Sequence, residues 1–234
     1  MAKKDKKAAG PGEEFYENPE VLAEKLSKTE ELLEKNKNVV FGVLVLIALI
    51  VAGFFGFNYY KENQNNIAQT EMFQAVYYFE ADSLNKALNG DGNSYGFLDI
   101  IDNFGLTKAA NLSQFYAGAS YLKLGNYEEA IEHLKSFDSD DIVLQARAYA
   151  LAGDSYMELG NYYDAIEMYE KAANYKSNEF FSPIYLKKAA IAYEKLNDFE
   201  GALKCYTSIV EDYSKSREAV DAKKHKARLE NLAS

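Results

Sequence analysis

The sequence predicts an all-α protein in which one N-terminal transmembrane helix is followed by a solenoid of paired helices. The segment 39–57, VVFGVLVLIALIVAGFFGF, contains no charged residue. Farther on, one phrase occurs three times at intervals of 35 and 37 residues, as YLKLGNYEEAIEHL from Tyr121, YMELGNYYDAIEMY from Tyr156 and YEKLNDFEGALKCY from Tyr193. Recurrence at such a period is typical of stacked structural repeats. Only 3 prolines in 234 residues favour long helices over a turn-rich β fold.

Residues 1–38 are predicted to form a charged tail that contains one short amphipathic helix. The first dozen residues lack any apolar periodicity, and we expect them to be disordered. The helix should begin near Asn18, a residue type that caps helix N-termini, and Pro19, which suits the first helical position. One face of this helix would then carry Leu22, Leu26, Thr29 and Leu33.

The apolar segment predicts a membrane span over residues 39–60. As a helix, its 19 uncharged residues are about 28 Å long, close to the hydrocarbon thickness of a bilayer. The alternatives are the core helix of a soluble protein, which is rarely apolar on every face, and a signal peptide. The following NYYKENQ offers no small-residue cleavage site, which favours an uncleaved anchor. Within the span, a stripe of small residues is predicted to pack against another helix: Ala48, Ala52 and Gly56.

The distribution of lysines predicts the orientation of the span. Eight lysines precede it, four of them at the extreme N-terminus, whereas after Lys61 the next basic residue is Lys86. Because basic flanks stay in the cytoplasm, the N-terminus is predicted to be cytoplasmic. In a bacterial inner membrane, the remainder of the chain would then lie in the periplasm.

Each copy of the repeated phrase predicts a helix, a tight turn and a second helix. Residue types that accept the left-handed conformation occupy the turns: Gly125, Gly160 and Asn197. Good N-caps follow directly, namely Asn126, Asn161 and Asp198. Three residues after the caps, two copies have acidic residues that could complete a capping arrangement, Glu129 and Asp164, whereas the third copy has Gly201 and should have a weaker cap.

Small residues recur at fixed places around each turn. Ala130, Ala165 and Ala202 should permit close helix contact. Since glycine inside a helix costs about 1 kcal/mol relative to alanine, small residues seven positions before each turn imply a neighbouring backbone there: Gly118, Gly153 and Ala190.

This pattern resembles the tetratricopeptide repeat, most clearly in the second copy, where the matching residues are Gly153, Tyr156, Gly160, Tyr162, Ala165, Tyr169 and Ala172. The early tryptophan of that repeat is replaced by Gln114, Tyr149 and Leu186, and the closing proline is absent. The resemblance implies a tetratricopeptide-repeat helical solenoid with three repeats over 111–214. A linker helix and degenerate first repeat would occupy 61–110, and a capping helix 215–234.

No catalytic, metal or cofactor site is predicted. The net charge of −10 argues against a nucleic-acid surface, and no motif for a small-molecule substrate is present. The only histidines, His133 and His225, are expected to be exposed, and Cys205 to be a small buried residue rather than a nucleophile. The acidic run Asp138–Asp141 is better explained by helix N-capping than by a cation.

With no catalytic or cofactor site predicted, protein binding is the function that the sequence favours. The groove positions of the tetratricopeptide repeat fall on twelve residues of this chain: Leu112, Phe115, Leu122 and Lys123 in the first copy, Arg147, Asp154, Met157 and Glu158 in the second, and Ile184, Lys187, Ile191 and Glu194 in the third. This set is more apolar than a solvated face needs, which indicates a groove for a peptide or a partner. The alternative is that residues such as Phe115 or Ile191 only pack against their neighbours.

The layout resembles the YfgM-type family of ancillary subunits of the bacterial Sec translocon. The likeness rests on two segments. One runs directly into the span, NPEVLAEKLSKTEELLEKNKN, and the other follows the span, AANLSQFYAGASYLKLGNYEEAIEHLKSF. The resemblance implies a non-enzymatic periplasmic scaffold with a chaperone-like role. Its partners would be Sec translocon subunits, a membrane-anchored prolyl isomerase or chaperone, and unfolded clients. The alternatives are a structural adaptor of another envelope machine (cell division, outer-membrane assembly or secretion), an enzyme with an unrecognised site, and an organelle import receptor in the opposite orientation.

Overall fold

A computed structural model describes residues 19–232, which contain helices and no strand. The predicted disorder of the first dozen residues and the predicted cap at Asn18 lie outside the described residues. The chain forms two compact units that meet at the Tyr60–Lys61 peptide bond.

The N-terminal unit consists of helix α1, Pro19–Lys35, and the first part of helix α2, Lys37–Glu80. Apart from the half-buried Val40, the large apolar side chains from Val39 to Phe57 are exposed on all faces of α2. Among the described residues, α2 is the one helix that is long and apolar enough to cross a membrane, judged by length and composition. It continues without a break past the predicted end of the span.

The second unit begins with the rest of α2 and two short helices, α3 (Leu84–Asn89) and α4 (Phe97–Asn103). Helix α2 ends at Glu80, and two residues later Asp82 adopts a φ of +56° before α3 begins. The segment 89–93, NGDGN, forms a turn between α3 and α4: Gly90 and Gly92 have φ of +74° and +89°, and Asp91 Oδ1 accepts hydrogen bonds from nearby backbone amides. One core cluster joins these helices, through Ala68, Met72 and Ala75 of α2 and Leu88, Phe97 and Ile100 of α3 and α4. The assignment of residues 61–110 as a linker helix and a degenerate first repeat stays a prediction.

Three helix pairs and a terminal helix follow. They are α5 (Lys108–Leu124) with α6 (Tyr127–Ser136), α7 (Ile142–Glu158) with α8 (Tyr162–Asn174), α9 (Ser182–Lys195) with α10 (Phe199–Asp212), and α11 (Ala219–Leu232). Each helix packs on the one before it and the one after it. The prediction of paired helices in an all-α solenoid is confirmed.

The turns inside the pairs have the predicted backbone, since Gly125, Gly160 and Asn197 have φ of +83°, +73° and +58°. The caps differ from the prediction. Neither Asn126 nor Asn161 bonds through its side chain, whereas Asp198 accepts a hydrogen bond from Gly201 N at 2.9 Å. The prediction of a weaker third cap is therefore wrong, because the bond needs only the backbone amide of Gly201. The acidic residues Glu129 and Asp164 complete no capping box.

The small residues allow close packing within each pair. Ala130, Ala165 and Ala202 have no exposed surface. A Cβ at Gly118 would lie 2.5 Å from Leu134 Cγ and 3.0 Å from the carbonyl oxygen of Ala130, so a neighbouring backbone does pack there. At Gly153 the neighbour is different, because a Cβ there would lie 2.7 Å from the ring of Tyr169. The glycine makes room for an aromatic side chain, where we expected a backbone.

Candidate functional site: a groove along the first helices

The first helices of the three pairs, α5, α7 and α9, border one elongated cavity of ≈ 410 Å³. We name it the first-helix groove. Its lining residues are Leu122 of α5, Asp154, Met157 and Glu158 of α7, Tyr169 of α8, and Lys188 and Ile191 of α9. A larger recess of ≈ 580 Å³ lies over α10, but apart from Tyr193 its walls come from residues 198–207 alone. The first-helix groove combines side chains from all three pairs.

Asp154 anchors the floor of the groove. Its Oδ1 accepts a hydrogen bond of 2.6 Å from the hydroxyl of Tyr169, and both of its oxygens accept from Lys188 Nζ, at 2.6 and 2.7 Å. Burial, and then the nearby carboxylate of Asp154, raises the pKa of Tyr169 well above its usual range, so the hydroxyl stays a donor. One carboxylate therefore connects three successive helices.

A similar arrangement recurs at the C-terminal end. Glu194 accepts a hydrogen bond of 2.9 Å from the hydroxyl of Tyr206 and forms an ion pair with Arg228 on α11. Lys187 binds Asp221 of α11 at 3.0 Å. Lys188 follows Asp154, Asp221 follows Lys187 and Arg228 follows Glu194 by 34 residues in each case. Opposite charges one repeat apart thus link α7 to α9 and α9 to α11.

The structure distributes the twelve predicted groove residues over four environments. Five line the first-helix groove: Leu122, Asp154, Met157, Glu158 and Ile191. Three others form ion pairs: Lys123 binds Asp82, in the turn after α2, at 3.0 Å, and Lys187 and Glu194 bind residues of α11 as described above. Arg147 and Ile184 are exposed but do not line the cavity.

Two of the predicted groove residues lie elsewhere. Phe115 is only 6% exposed and its ring lies 5.4 Å from that of Phe137, so it belongs to the core. Leu112 is half-buried between two core clusters. Both point away from the groove because α5 is covered by α4 on one side and by α6 on another.

Sequence reasoning missed Lys188 and Tyr169, which complete the groove floor. Counting 37 residues from turn to turn aligns Asp154 with Ile191, whereas the structure pairs Asp154 with Lys188, 34 residues on. A search for opposite charges one repeat apart would have found Lys188. It would also have found Asp221 and Arg228.

The cysteine, the two histidines and the acidic run considered as candidate reactive or metal-binding residues have structural roles. Burial raises the pKa of the Cys205 thiol to about 12, which disfavours the thiolate. Neither histidine is a freely exposed residue, contrary to the expectation: His133 stacks on Tyr121 and His225 on Tyr206, with ring centroids 5.4 and 5.0 Å apart. Asp141 caps α7 as expected, accepting from the amides of Val143 and Leu144. Within residues 19–232, no cluster of three or more His, Cys, Asp or Glu side chains could hold a metal ion.

Comparison with known proteins identifies the type of repeat that the helix pairs form. The tetratricopeptide repeat family matches residues 112–140, 146–179 and 186–216. The chain carries tetratricopeptide repeats. Structures of similar fold include two of a Podosopora anserina protein described as a kinesin light chain with nearly identical TPR-like repeats, one of them a form with a single substitution. Each has a TM-score of 0.52 and 14% identity, over 69% of this chain and 84% of that chain.

At this level of identity the likeness shows the fold alone. No curated protein is significantly similar in sequence to the chain. Tetratricopeptide repeats are protein–protein interaction modules that act by presenting a shaped surface. The repeats therefore indicate a scaffold that binds protein partners.

Proposed function

We infer that this protein is a membrane-anchored scaffold that holds partner proteins in its first-helix groove. The observation that carries the proposal is the composition of the groove. Apolar side chains from the first helices of three successive pairs, Leu122, Met157 and Ile191, surround a floor whose Asp154 is already neutralised by Lys188. Such a surface favours an apolar segment of a partner, with Met157 able to adapt to its shape.

The anchor would be the apolar part of α2. Its side chains are exposed on every face, and in lipid this exposure is favourable, whereas in water it is not. The lysine distribution favours a cytoplasmic N-terminus, with the repeats in the periplasm of a bacterial inner-membrane protein. The small residues Ala48, Ala52 and Gly56 would accept a partner's transmembrane helix, and nothing lies within 4 Å of a Cβ placed on Gly56.

The resemblance to YfgM-type proteins suggests where the scaffold works. It would be an ancillary subunit beside the Sec translocon, in contact with a membrane-anchored prolyl isomerase or chaperone and with emerging, unfolded clients. No enzymatic step is part of this proposal.

Photo-crosslinking in intact membranes tests the proposal. A crosslinking residue at Met157 or Ile191 should capture partners that one at Tyr163, a second-helix residue 77% exposed, does not capture. Equal capture at all three positions would refute the groove. Recovery of translocon and isomerase subunits supports the Sec assignment. Recovery of only division, outer-membrane assembly or secretion factors refutes it in favour of an adaptor for another envelope machine.

Protease accessibility tests the orientation separately. In cells with a permeabilised outer membrane and an intact inner membrane, external protease should digest the repeats. Protection of the repeats, with digestion only after the inner membrane is opened, would contradict a periplasmic location.

A further inference from the structure

One face of α2 beyond the predicted span has no partner within the described part of the chain. Five exposed residues line it, and we name them the outer seam: Asn63, Asn66, Thr70, Phe73 and Tyr77. Phe73 is 75% exposed and Tyr77 58% exposed. The opposite face of the same helix is buried against the repeats through Asn65, Ala68, Met72 and Ala75.

The spacing of the outer seam is that of a coiled coil. Its residues follow one another at intervals of 3, 4, 3 and 4 along two heptads, which places them on one stripe of the helix about 21 Å long. None of them is charged, although 26% of the chain is. Two large aromatic side chains on an uncharged stripe are unusual for a helix face that meets only water.

The chemistry of the seam favours a second copy of this chain. A side-chain amide both donates and accepts hydrogen bonds, so Asn63 and Asn66 can each pair with the same residue of an identical helix. Neither side chain has a hydrogen-bond partner within residues 19–232. Asparagine at such positions specifies the alignment of paired helices, and Phe73 and Tyr77 would add aromatic contacts. The net charge of −10 opposes self-association of the chain as a whole, but the outer seam carries no charge that would repel the outer seam of a second copy.

We propose that the outer seam is a dimerisation surface, on which two copies pair as a short parallel coiled coil. Two heptads are too short to pair stably when free in water. The inference therefore rests on the proposed membrane anchoring, which would hold the copies parallel and raise their effective concentration.

Disulfide crosslinking of the full-length chain in membrane vesicles tests the dimer. In a Cys205→Ala background, which removes the native thiol, Asn66→Cys and Phe73→Cys should give covalent dimers under mild oxidation. Lys61→Cys is the matched control, because Lys61 is exposed on the other side of the same helix. Dimer yields several-fold above that of Lys61→Cys are expected, whereas yields no greater at the seam would overturn the proposal. Crosslinking to a different protein instead of a second copy would overturn it too.

A charge on the seam provides an independent readout. Adding Thr70→Glu to the Phe73→Cys chain should reduce the dimer yield several-fold, because the carboxylates of the two copies would then lie close together and repel each other. Thr70→Gln, which adds no charge, should leave the dimer yield nearly unchanged. Equal yields from both would contradict pairing through this face. Resistance of the same vesicle-bound chain to alkaline carbonate extraction is measured in parallel. An extracted chain refutes the anchor, whereas a retained chain that does not dimerise refutes only the seam.

Discussion

At the scale of single residues, Asp154 joins two successive repeats through one carboxylate. Its side chain is 29% exposed and binds partners on two other helices, Tyr169 on α8 and Lys188 on α9. Partly buried, charge-assisted hydrogen bonds contribute more than exposed pairs, since losing one partner leaves the others unsatisfied. The same carboxylate fixes the position of the lysine in the groove floor.

Asp154→Ala should lower the free energy of unfolding of the 61–234 segment by about 1–3 kcal/mol, because it leaves the Tyr169 hydroxyl and the Lys188 ammonium without their acceptor. Urea denaturation measures the change. The control is Glu167→Ala, which removes an exposed pair with Lys171 on α8 and should cost less than about 0.5 kcal/mol. Equal effects of the two substitutions would show that the Asp154 cluster adds nothing beyond a surface pair.

His133 should make stability depend on pH. Its Nδ1 lies 2.7 Å from Gln114 Oε1, and burial lowers the pKa of the imidazole below its usual value. The unfolded chain therefore binds a proton before the folded chain does. The stability from neutral His133 is present above the usual histidine pKa and is lost as the pH falls below it.

Between about pH 7.5 and about pH 5.5, the wild-type segment should accordingly lose more unfolding free energy than His133→Gln does. Denaturant titrations at the two pH values measure both losses. The exposed substitution Tyr163→Phe should follow the wild type. An equal loss in His133→Gln would mean that another group carries the pH dependence.

At the scale of the elements, the turn inside each pair depends on one left-handed residue. Nothing lies within 4 Å of a Cβ placed on Gly160, so a Cβ there meets no steric obstacle. Its φ of +73° is nevertheless strained for a β-branched residue. Backbone conformation alone therefore restricts this position.

Gly160→Val should lower the melting temperature of the 61–234 segment, at a cost of about 1–3 kcal/mol, because valine resists positive φ. Gly160→Asn is the matched control, since Asn197 already occupies the equivalent turn at φ +58°. It should cost only a fraction as much. A melting temperature unchanged by valine would show that the turn readily adopts another conformation.

At the scale of the whole molecule, the last helix closes the stack. Ala219, Ala222 and Leu229 of α11 are buried against the core that contains Tyr206 and Ile209. A solenoid needs such an end, because its last repeat would otherwise expose an apolar face. The ion pairs of Lys187 and Glu194 with α11 continue the links between first helices to this end.

Leu229→Ala should destabilise the 61–234 segment by about 2–4 kcal/mol, since Leu229 is only 1% exposed. Val220→Ala removes a side chain that is 64% exposed on the same helix and should cost little. Calorimetry of the two variants decides the point. Similar melting temperatures would mean that α11 does not support the array.

The sequence by itself determined the elements that depend on local chemistry. The turns at Gly125, Gly160 and Asn197 follow from which residues accept positive φ, and the buried Ala130, Ala165 and Ala202 follow from a repeated spacing. The apolar stretch at the start of α2 follows from composition alone. Each of these features is complete within a few turns of chain, so no knowledge of distant contacts is needed.

Only the tertiary structure decided which side chains meet across the helices. It pairs Asp154 with Lys188 rather than aligning it with Ile191, places Phe115 in the core, and stacks both histidines on tyrosines. The physical reason is that contacts between packed helices depend on their relative height and rotation. Repeats of unequal length change both, so counting residues from one turn to the next cannot determine them.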